Sequence, residues 1–299
     1  MKDKSVIYPS NKLLIELAKI CKSVYGSPIN HKILTIKDKK LNHQRIIHGS
    51  LHRGFCRLFW NEEYVIIAFR GTRENLDWQI SNLKLFPTRL KNCGTEPQSI
   101  KVHFGFQKAL YYTDKTTGLK SIDAIYNHLE SNDLLNGDRK IIITGHSLGA
   151  AIATLFAVKL RFKYKNITDK SIEHIILFGS PAVGFDEFKR YYGDLNSRTL
   201  RVINGSDIVP FTPPFFFRHI GESILYNKTQ IIENESWLFR LLYSLKLPIS
   251  NFFKEHSLEK YLETLKGLNY KHSTQSIRRP HQITAMSARL TPPCVRTTC

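Results

Sequence analysis

Residues 140–150 read KIIITGHSLGA. Residues 140–144, with three consecutive isoleucines, predict a buried strand, and the small residues after Gly149 predict a helix. Between them, residues 145–149 match G-x-S-x-G. A sharp turn from strand to helix holds such a serine in strained backbone geometry and presents its hydroxyl at the carboxyl edge of the sheet. Ser147 is therefore the candidate nucleophile, and a plain helix N-cap remains the alternative.

The segments around this unit predict one α/β domain. Residues 55–60 and 64–69 are β-rich and predict a hairpin, and further strands are expected at residues 174–178 and 200–203. Strands that alternate with helices indicate a mostly parallel central sheet covered by helices on both faces. Ser10 is expected to cap a helix that extends to Val24.

The remaining segments carry weaker patterns. Residues 81–101 contain two prolines and no clear period, which predicts a long connection, and helical patterning extends from residue 106 to about 130. No linker divides residues 1–272, so we expect a single domain there. Residues 273–299 are rich in Ser, Thr, Pro and Arg and predict a flexible basic tail.

The charge of the chain limits its partners. Its 299 residues include 44 Lys and Arg against 25 Asp and Glu, a formal net charge of +19. Such an excess attracts polyanions. The basic residues are scattered and no nucleic-acid motif accompanies them, so we favour an anionic membrane surface over nucleic acid, with a solvated basic surface as the plain alternative.

Cysteine usage and targeting signals suggest a compartment. The five cysteines have no C-x-x-C spacing, which is typical of reduced thiols. The first residues do not lead into the apolar core of a signal peptide, and no uncharged stretch of 18 apolar residues is present. We therefore expect a cytoplasmic protein, although leaderless export would leave no trace in the sequence.

A serine nucleophile needs an imidazole to accept its proton and an acid to orient that imidazole. In a strand–turn–helix site of this kind the order along the chain is serine, acid, histidine. The acid candidates are Asp169, Asp186, Asp194 and Asp207. We favour Asp207 because it follows a predicted strand across a short loop, although an ordinary turn residue would look the same.

The histidines after Asp207 are His219, His256, His272 and His281. His272 and His281 fall at or inside the basic tail, and His219 follows Asp207 by only twelve positions. We favour His256, which opens a predicted helix after a connection long enough to fold back over the site. His146, beside the nucleophile, is expected to pack or hydrogen-bond locally.

With these residues in place, the sequence resembles the class 3 (fungal-type) lipase family, whose members have the α/β-hydrolase fold. The resemblance covers about residues 55–265. It is carried by five segments: residues 68–72 (AFRGT), 102–106 (VHFGF), 145–150 (GHSLGA), 204–210 (NGSDIVP) and 256–261 (HSLEKY).

The resemblance implies further site residues. The residue after Arg-Gly in the family is an oxyanion-hole residue, which here is Thr72, and the N–H of Leu148 would be its partner donor. Family members also carry a mobile lid after this segment, whose apolar underside here would include Trp78, Leu83, Leu85 and Phe86. The secreted members have signal peptides and disulfides, so an extracellular digestive role does not carry over.

Two apolar segments follow the candidate acid: residues 208–217, with Phe211 and Phe215, and residues 237–245. Each is expected to form either core or an acyl-binding wall that also contacts lipid. The expected activity is hydrolysis of lipid esters, as a triacylglycerol lipase or a phospholipase, with neither a metal nor an organic cofactor. A lipid acyltransferase of the same fold and a non-catalytic lipase-like binding protein are the alternatives, and the oligomeric state is left open.

Overall fold

The computed structural model describes residues 9–26, 34–49, 54–71, 86–91, 100–114, 117–213, 216–226, 231–233 and 254–271. Within these residues, no helix combines the length and hydropathy needed to cross a bilayer. The basic tail of residues 273–299 lies outside the described residues, as does the apolar segment 237–245.

An eight-stranded sheet forms the centre of the fold. Its strands are β3 (His43–His48), β4 (Gly54–Trp60), β5 (Tyr64–Phe69), β8 (Lys140–His146), β9 (Ile172–Phe178), β10 (Thr199–Asn204), β11 (Glu222–Tyr226) and β12 (Ile231–Glu233). Their order across the sheet is β12-β11-β10-β9-β8-β5-β4-β3. The five strands from β11 to β5 are parallel to one another, and antiparallel strands flank them on both sides.

Two small antiparallel sheets lie outside the central one. Strands β1 (Thr35–Ile36) and β2 (Lys39–Lys40) form the first, and β6 (Pro87–Arg89) pairs with β7 (Lys101–His103) in the second. Both are too short to be stable alone, so they depend on the chain packed beneath them.

Helices cover both faces of the central sheet. Strand β5 shows how: Val65, Ile67 and Phe69 point into one apolar cluster, and Ile66 and Ala68 point into the other. A parallel strand buried on both faces has this pattern. One cluster includes α1 (Asn11–Val24) and α7 (Leu258–Lys271); the other includes α2 (Phe104–Leu110), α3 (Ser121–Ser131), α4 (Leu148–Lys163) and α6 (Asp186–Tyr192), while α5 (Lys165–Ser171) follows α4.

Most of the predicted elements are confirmed. Ser10 caps α1 and accepts a hydrogen bond from the Leu13 N–H at 3.2 Å. The hairpin of β4 and β5 and the strands β8, β9 and β10 lie where the sequence patterns predicted them. The mostly parallel sheet with helices on both faces is the predicted α/β class.

Two expectations were wrong. Helical structure does not continue from residue 106 to 130: α2 ends at Leu110, and a turn leads to a bridge between Thr113 and Lys120 before α3 begins. Gly118, which lies between the two bridge partners, adopts a φ of +70°, a conformation that an α-helix cannot contain. The connection of residues 81–101 also holds strand β6, which begins at Pro87, a residue tolerated at the start of a short strand.

Candidate active site

Ser147 lies between strand β8 and helix α4, the tight turn that the sequence predicted. Its backbone has φ 59° and ψ −132°, a conformation that is costly for any residue with a side chain. The Ser147 N–H donates to the carbonyl of Phe178 on the neighbouring strand at 3.0 Å, and its side chain makes no capping hydrogen bond to the helix. The N-cap alternative therefore lacks the bond that defines it.

Gly145 and Gly149 allow this turn because the chain crosses itself closely there. A Cβ on Gly145 would lie 2.4 Å from the carbonyl oxygen of Gly149, and a Cβ on Gly149 would lie 2.4 Å from that of Phe69. Both distances are far below van der Waals contact. The two glycines of the G-x-S-x-G motif thus hold helix α4 against the ends of strands β5 and β8.

Asp207 and His256 form a buried pair at the same sheet edge. Asp207 follows strand β10, and His256 precedes helix α7. The His256 Nδ1 lies 2.9 Å from Oδ1 and 2.8 Å from Oδ2 of Asp207, and both residues are at most 2% exposed. Because the ionised carboxylate can only accept, Nδ1 carries the proton in this pair.

Two further donors hold the Asp207 carboxylate. The Tyr261 hydroxyl donates to Oδ2 at 2.6 Å, and the Val209 N–H donates to Oδ1 at 2.9 Å. Burial alone would raise the pKa of Asp207, but the charge of His256 and the hydrogen bonds from His256, Tyr261 and Val209 outweigh it and leave the pKa below its ordinary value. The carboxylate therefore stays ionised in the interior.

The second ring nitrogen of His256, Nε2, is buried and has no hydrogen-bond partner among the described residues. A histidine whose Nδ1 donates to a carboxylate keeps Nε2 as the proton acceptor. His219, the nearer alternative in sequence, does not fill this role. Its Nε2 lies 2.6 Å from the carbonyl oxygen of Pro210, to which it can only donate.

His146 connects the tight turn at Ser147 to the loop that carries His256. Its Nε2 lies 2.7 Å from the His256 carbonyl oxygen, and the two rings are 4.6 Å apart between centroids. Burial, followed by the charge of His256, lowers the pKa of His146 to about 3. The expectation of a locally bonded, non-basic His146 agrees with this geometry.

Some of the other predicted site residues are described by the structure, and the rest lie outside the described residues. Leu148 is the first residue of α4, where a backbone N–H has no acceptor within the helix. Phe211 is half-buried in a 3₁₀ turn (Val209–Phe211), and Phe86 is 60% exposed beside strand β6. The remaining predicted residues lie outside the described residues: Thr72, Trp78, Leu83, Leu85 and Phe215.

Sequence reasoning missed two tyrosines of the site. Tyr261 holds Asp207, and Tyr25, at the end of α1, contacts His146 with its hydroxyl at 3.0 Å from Nδ1. Tyr261 lies five residues after His256, in the helix that follows it. No local signal marks Tyr25. Across the described ranges, no three His, Cys, Asp or Glu side chains come together as a metal site, and Cys21 and Cys56 are free thiols.

Residues 66–217 match the family "Lipase (class 3)", about half of the chain. The chain is 30% identical over 232 residues to "Phospholipase A1-Igamma2, chloroplastic" of Arabidopsis thaliana, covering 69% of this chain but 43% of that protein. It is 32% identical over 205 residues to "Secreted mono- and diacylglycerol lipase MDL3" of Malassezia globosa, covering 65% of this chain and 60% of that one.

The solved structure of lipase II from Rhizopus niveus superposes with a TM-score of 0.56 at 23% identity, covering 72% of this chain and 80% of that one. This likeness shows the α/β-hydrolase fold. Together with the match of residues 66–217, these findings show that the chain belongs to the class 3 lipase family.

Proposed function

We propose that the protein is a serine hydrolase that cleaves carboxylic esters of lipids, with Ser147 as nucleophile, His256 as base and Asp207 as the acid that orients the base. One observation carries the proposal. A buried carboxylate–imidazole pair at 2.8 Å lies at the sheet edge where Ser147 is held in a strained turn, and the residue before Ser147 contacts the backbone of His256.

The proposed reaction has two halves. The Ser147 hydroxyl attacks the ester carbonyl while its proton moves to His256 Nε2, and Asp207 stabilises the imidazolium through Nδ1–H. The N–H of Leu148 and Thr72 stabilise the tetrahedral oxyanion. The intermediate then expels the alcohol, which takes the proton from Nε2, and leaves an acyl group on Ser147. A water molecule attacks this ester by the same proton route and releases the carboxylic acid.

The substrate class is proposed from the surroundings and the relatives. The named activities of the two relatives, phospholipase A1 and mono- and diacylglycerol lipase, support a glycerolipid ester. Phe211 lies four residues after Asp207 in the sequence and is half-buried, so part of its ring is accessible. Such surface suits an acyl chain, since burying each CH₂ group is worth about 0.8 kcal/mol.

The proposal is tested by labelling and turnover in the same preparation. A fluorophosphonate probe should label the wild type and not Ser147→Ala, and the wild type alone should hydrolyse acylglycerols, phospholipids or nitrophenyl esters. An unlabelled wild type with no turnover would instead favour the non-catalytic binding protein. Labelling with acyl transfer to an added alcohol in preference to water would favour the acyltransferase.

We propose further that the protein contacts anionic lipid surfaces through an aromatic rim. We define the aromatic rim as Phe86, Phe104, Phe185 and Phe216 with Lys101 and Lys108. Phe216, Phe86 and Phe104 are 71%, 60% and 47% exposed. Exposed aromatic rings beside lysines are typical of surfaces that enter the headgroup region of a membrane.

Two backbone hydrogen bonds and one contact between rings hold the aromatic rim together. The Phe104 N–H donates to the Phe86 carbonyl at 2.8 Å, the Phe185 N–H donates to the Lys101 carbonyl at 3.0 Å, and the Phe185 and Phe216 rings are 5.9 Å apart. The chain reaches Phe185 six residues after Gly179, where a Cβ would lie 2.7 Å from the Asp207 carboxylate. Six residues of chain span at most about 20 Å, which bounds the distance from Phe185 to Gly179.

The charge of the aromatic rim favours an anionic surface. The Lys101 Nζ lies 5.7 Å from the centre of the Phe185 ring, and the Lys108 Nζ lies 5.8 Å from that of Phe104. The acids that follow Phe185 are compensated, since Asp186 pairs with Arg218 at 3.2 Å and Glu187 with Arg190 at 3.5 Å. Two lysines thus remain to attract anionic headgroups.

Vesicle flotation tests the aromatic rim. The wild type should bind vesicles that contain phosphatidylserine more strongly than neutral phosphatidylcholine vesicles. Phe104→Ser with Phe216→Ser should weaken binding by roughly tenfold or more, from the lost burial of two rings. Phe162→Ser is the matched control, because Phe162 is 49% exposed on α4, outside the rim. Equal binding by all variants, or no binding to any vesicle, would overturn this part of the proposal.

A further inference from the structure

A chain of hydrogen bonds links the end of helix α1 to the proposed active site. The Gly71 N–H donates to the Tyr25 hydroxyl oxygen at 3.1 Å, and the Tyr25 hydroxyl lies 3.0 Å from His146 Nδ1. On the other side of the ring, His146 Nε2 lies 2.7 Å from the His256 carbonyl oxygen. Four segments that are far apart in sequence thus meet through two side chains.

The direction of each bond follows from its partners. The His256 carbonyl can only accept, so His146 donates from Nε2–H and presents a bare Nδ1. Tyr25 then donates its proton to Nδ1 and receives the Gly71 N–H on its oxygen. Burial, followed by the charge of Cys21, raises the pKa of Tyr25, which keeps the phenol protonated. The three donors are the Gly71 N–H, the Tyr25 hydroxyl and the His146 Nε2–H. Each has one acceptor, so none of the three bonds can reverse its direction.

Gly71 fits between these groups with no space to spare. A Cβ there would lie 2.3 Å from the Tyr25 hydroxyl oxygen, 2.8 Å from the His146 carbonyl oxygen and 3.2 Å from the Ser147 Cβ. The backbone of Gly71 therefore packs directly on the turn that holds Ser147. Gly71 is also the residue immediately before Thr72, the proposed oxyanion-hole residue.

We infer that Tyr25 and His146 are positioning residues, which hold the backbone before Thr72 and the loop of His256 at fixed distances from Ser147. The inference rests on the proposed function, because it assigns these two side chains a role in that reaction. Each acts on the backbone of a residue that does the chemistry or precedes it: Tyr25 on the Gly71 N–H and His146 on the His256 carbonyl.

The arrangement predicts a kinetic effect beyond stability. Without the Tyr25 hydroxyl, the Gly71 N–H and His146 Nδ1 lose their partners, and both the oxyanion segment and the imidazole of His146 become free to shift. A shift of about 1 Å in a catalytic group can cost on the order of a hundredfold in rate. The loss should appear in kcat, because the substrate-binding surface is untouched.

The test compares Tyr25→Phe with Tyr192→Phe. Tyr192 is a buried tyrosine whose hydroxyl bonds to Thr199 at 3.1 Å, among residues of the opposite apolar cluster. Tyr25→Phe loses a buried hydroxyl with two hydrogen bonds and Tyr192→Phe a buried hydroxyl with one, so both should unfold at lower urea concentration. Only Tyr25→Phe should slow fluorophosphonate labelling of Ser147 and lower kcat for a nitrophenyl ester, by roughly tenfold or more, with KM nearly unchanged.

His146 supplies a second pair of variants in case Tyr25→Phe does not fold. Gln at position 146 can still reach the His256 carbonyl with an N–H, whereas Asn is one methylene shorter, so labelling should be faster in His146→Gln than in His146→Asn. Equal labelling rates for wild type and Tyr25→Phe, or for the Gln and Asn variants, would overturn the inference alone. A wild type that does not label at all would overturn the proposed function and this inference with it.

Discussion

His146 and His256 occupy neighbouring regions of one sheet edge, with rings 4.6 Å apart, and each is bonded to a different kind of partner. His256 faces a carboxylate, which Tyr261 holds in turn; His146 faces a tyrosine hydroxyl directly, with no carboxylate between them. A buried imidazole beside an anion can accept a second proton, because the anion compensates the new charge. A buried imidazole beside a phenol cannot, and it serves as a neutral link with one fixed tautomer.

Burial alone therefore does not make a histidine a base. Both residues are buried, at 6% and 2% exposure, yet only His256 is bonded to a carboxylate. Changes to the carboxylate beside His256 and to the titration of His146 test this difference.

Asp207→Asn removes the carboxylate and keeps its shape. The amide can present an N–H towards His256 Nδ1, which then becomes an acceptor and moves the imidazole proton to Nε2. A protonated Nε2 cannot take the Ser147 proton, so kcat should fall by about 10⁴-fold. Ester hydrolysis by purified wild type and variant measures this.

The control for Asp207→Asn is Asp169→Asn, which removes a carboxylate paired with Arg161 at 2.8 Å on a distant helix. That variant should keep its turnover, since surface ion pairs are worth at most about 1 kcal/mol. If Asp207→Asn retained more than about a tenth of the wild-type kcat, the tautomer argument would fail.

The acid stability of the protein tests the His146 side. The pKa of His146 is lowered from 6.5 to about 3, first by burial and then by the charge of His256. Between these values the unfolded chain binds a proton that the folded chain refuses. The stabilisation present above pH 6.5 is therefore lost as the pH falls, by up to about 1.4 kcal/mol per pH unit.

Urea unfolding at pH 7, 6, 5 and 4 measures this loss in wild type and in His146→Gln. The other titrating groups are present in both proteins, including Asp207, whose pKa lies below its ordinary value. The difference between the two slopes isolates His146, and the wild type should have the steeper one. Parallel curves would mean that His146 titrates normally in the folded state.

The sequence predicted one side of this comparison better than the other. The turn at Ser147 and the pairing of Asp207 with His256 follow from local patterns, because a strand, a short loop and the order along the chain fix which residues reach the sheet edge. The catalytic roles of these residues and of Thr72 stay predictions. Tyr25 could not be predicted, since its contact with His146 spans 121 positions and depends on how α1 packs.

The errors in secondary structure have the same origin. Residues 106–130 carry apolar residues at helical spacing, but the turn near Gly118 interrupts the helix, and the bridge between Thr113 and Lys120 stabilises that interruption. Strand β6 was missed because three residues are too few to show a period, and its pairing with β7 is a tertiary contact. In each case non-local packing decided between local alternatives.

Tyr261→Phe is the smallest change on the His256 side. It removes one donor from Asp207 Oδ2 but leaves the His256 and Val209 bonds in place. One buried hydrogen bond is worth about 1 kcal/mol, or roughly fivefold in rate if all of it is felt in the transition state. Because Asp207→Asn reverses the imidazole tautomer while Tyr261→Phe only loosens the carboxylate, the two kcat values should differ by several orders of magnitude. Similar losses in both variants would mean that the carboxylate acts through its placement and not through its charge.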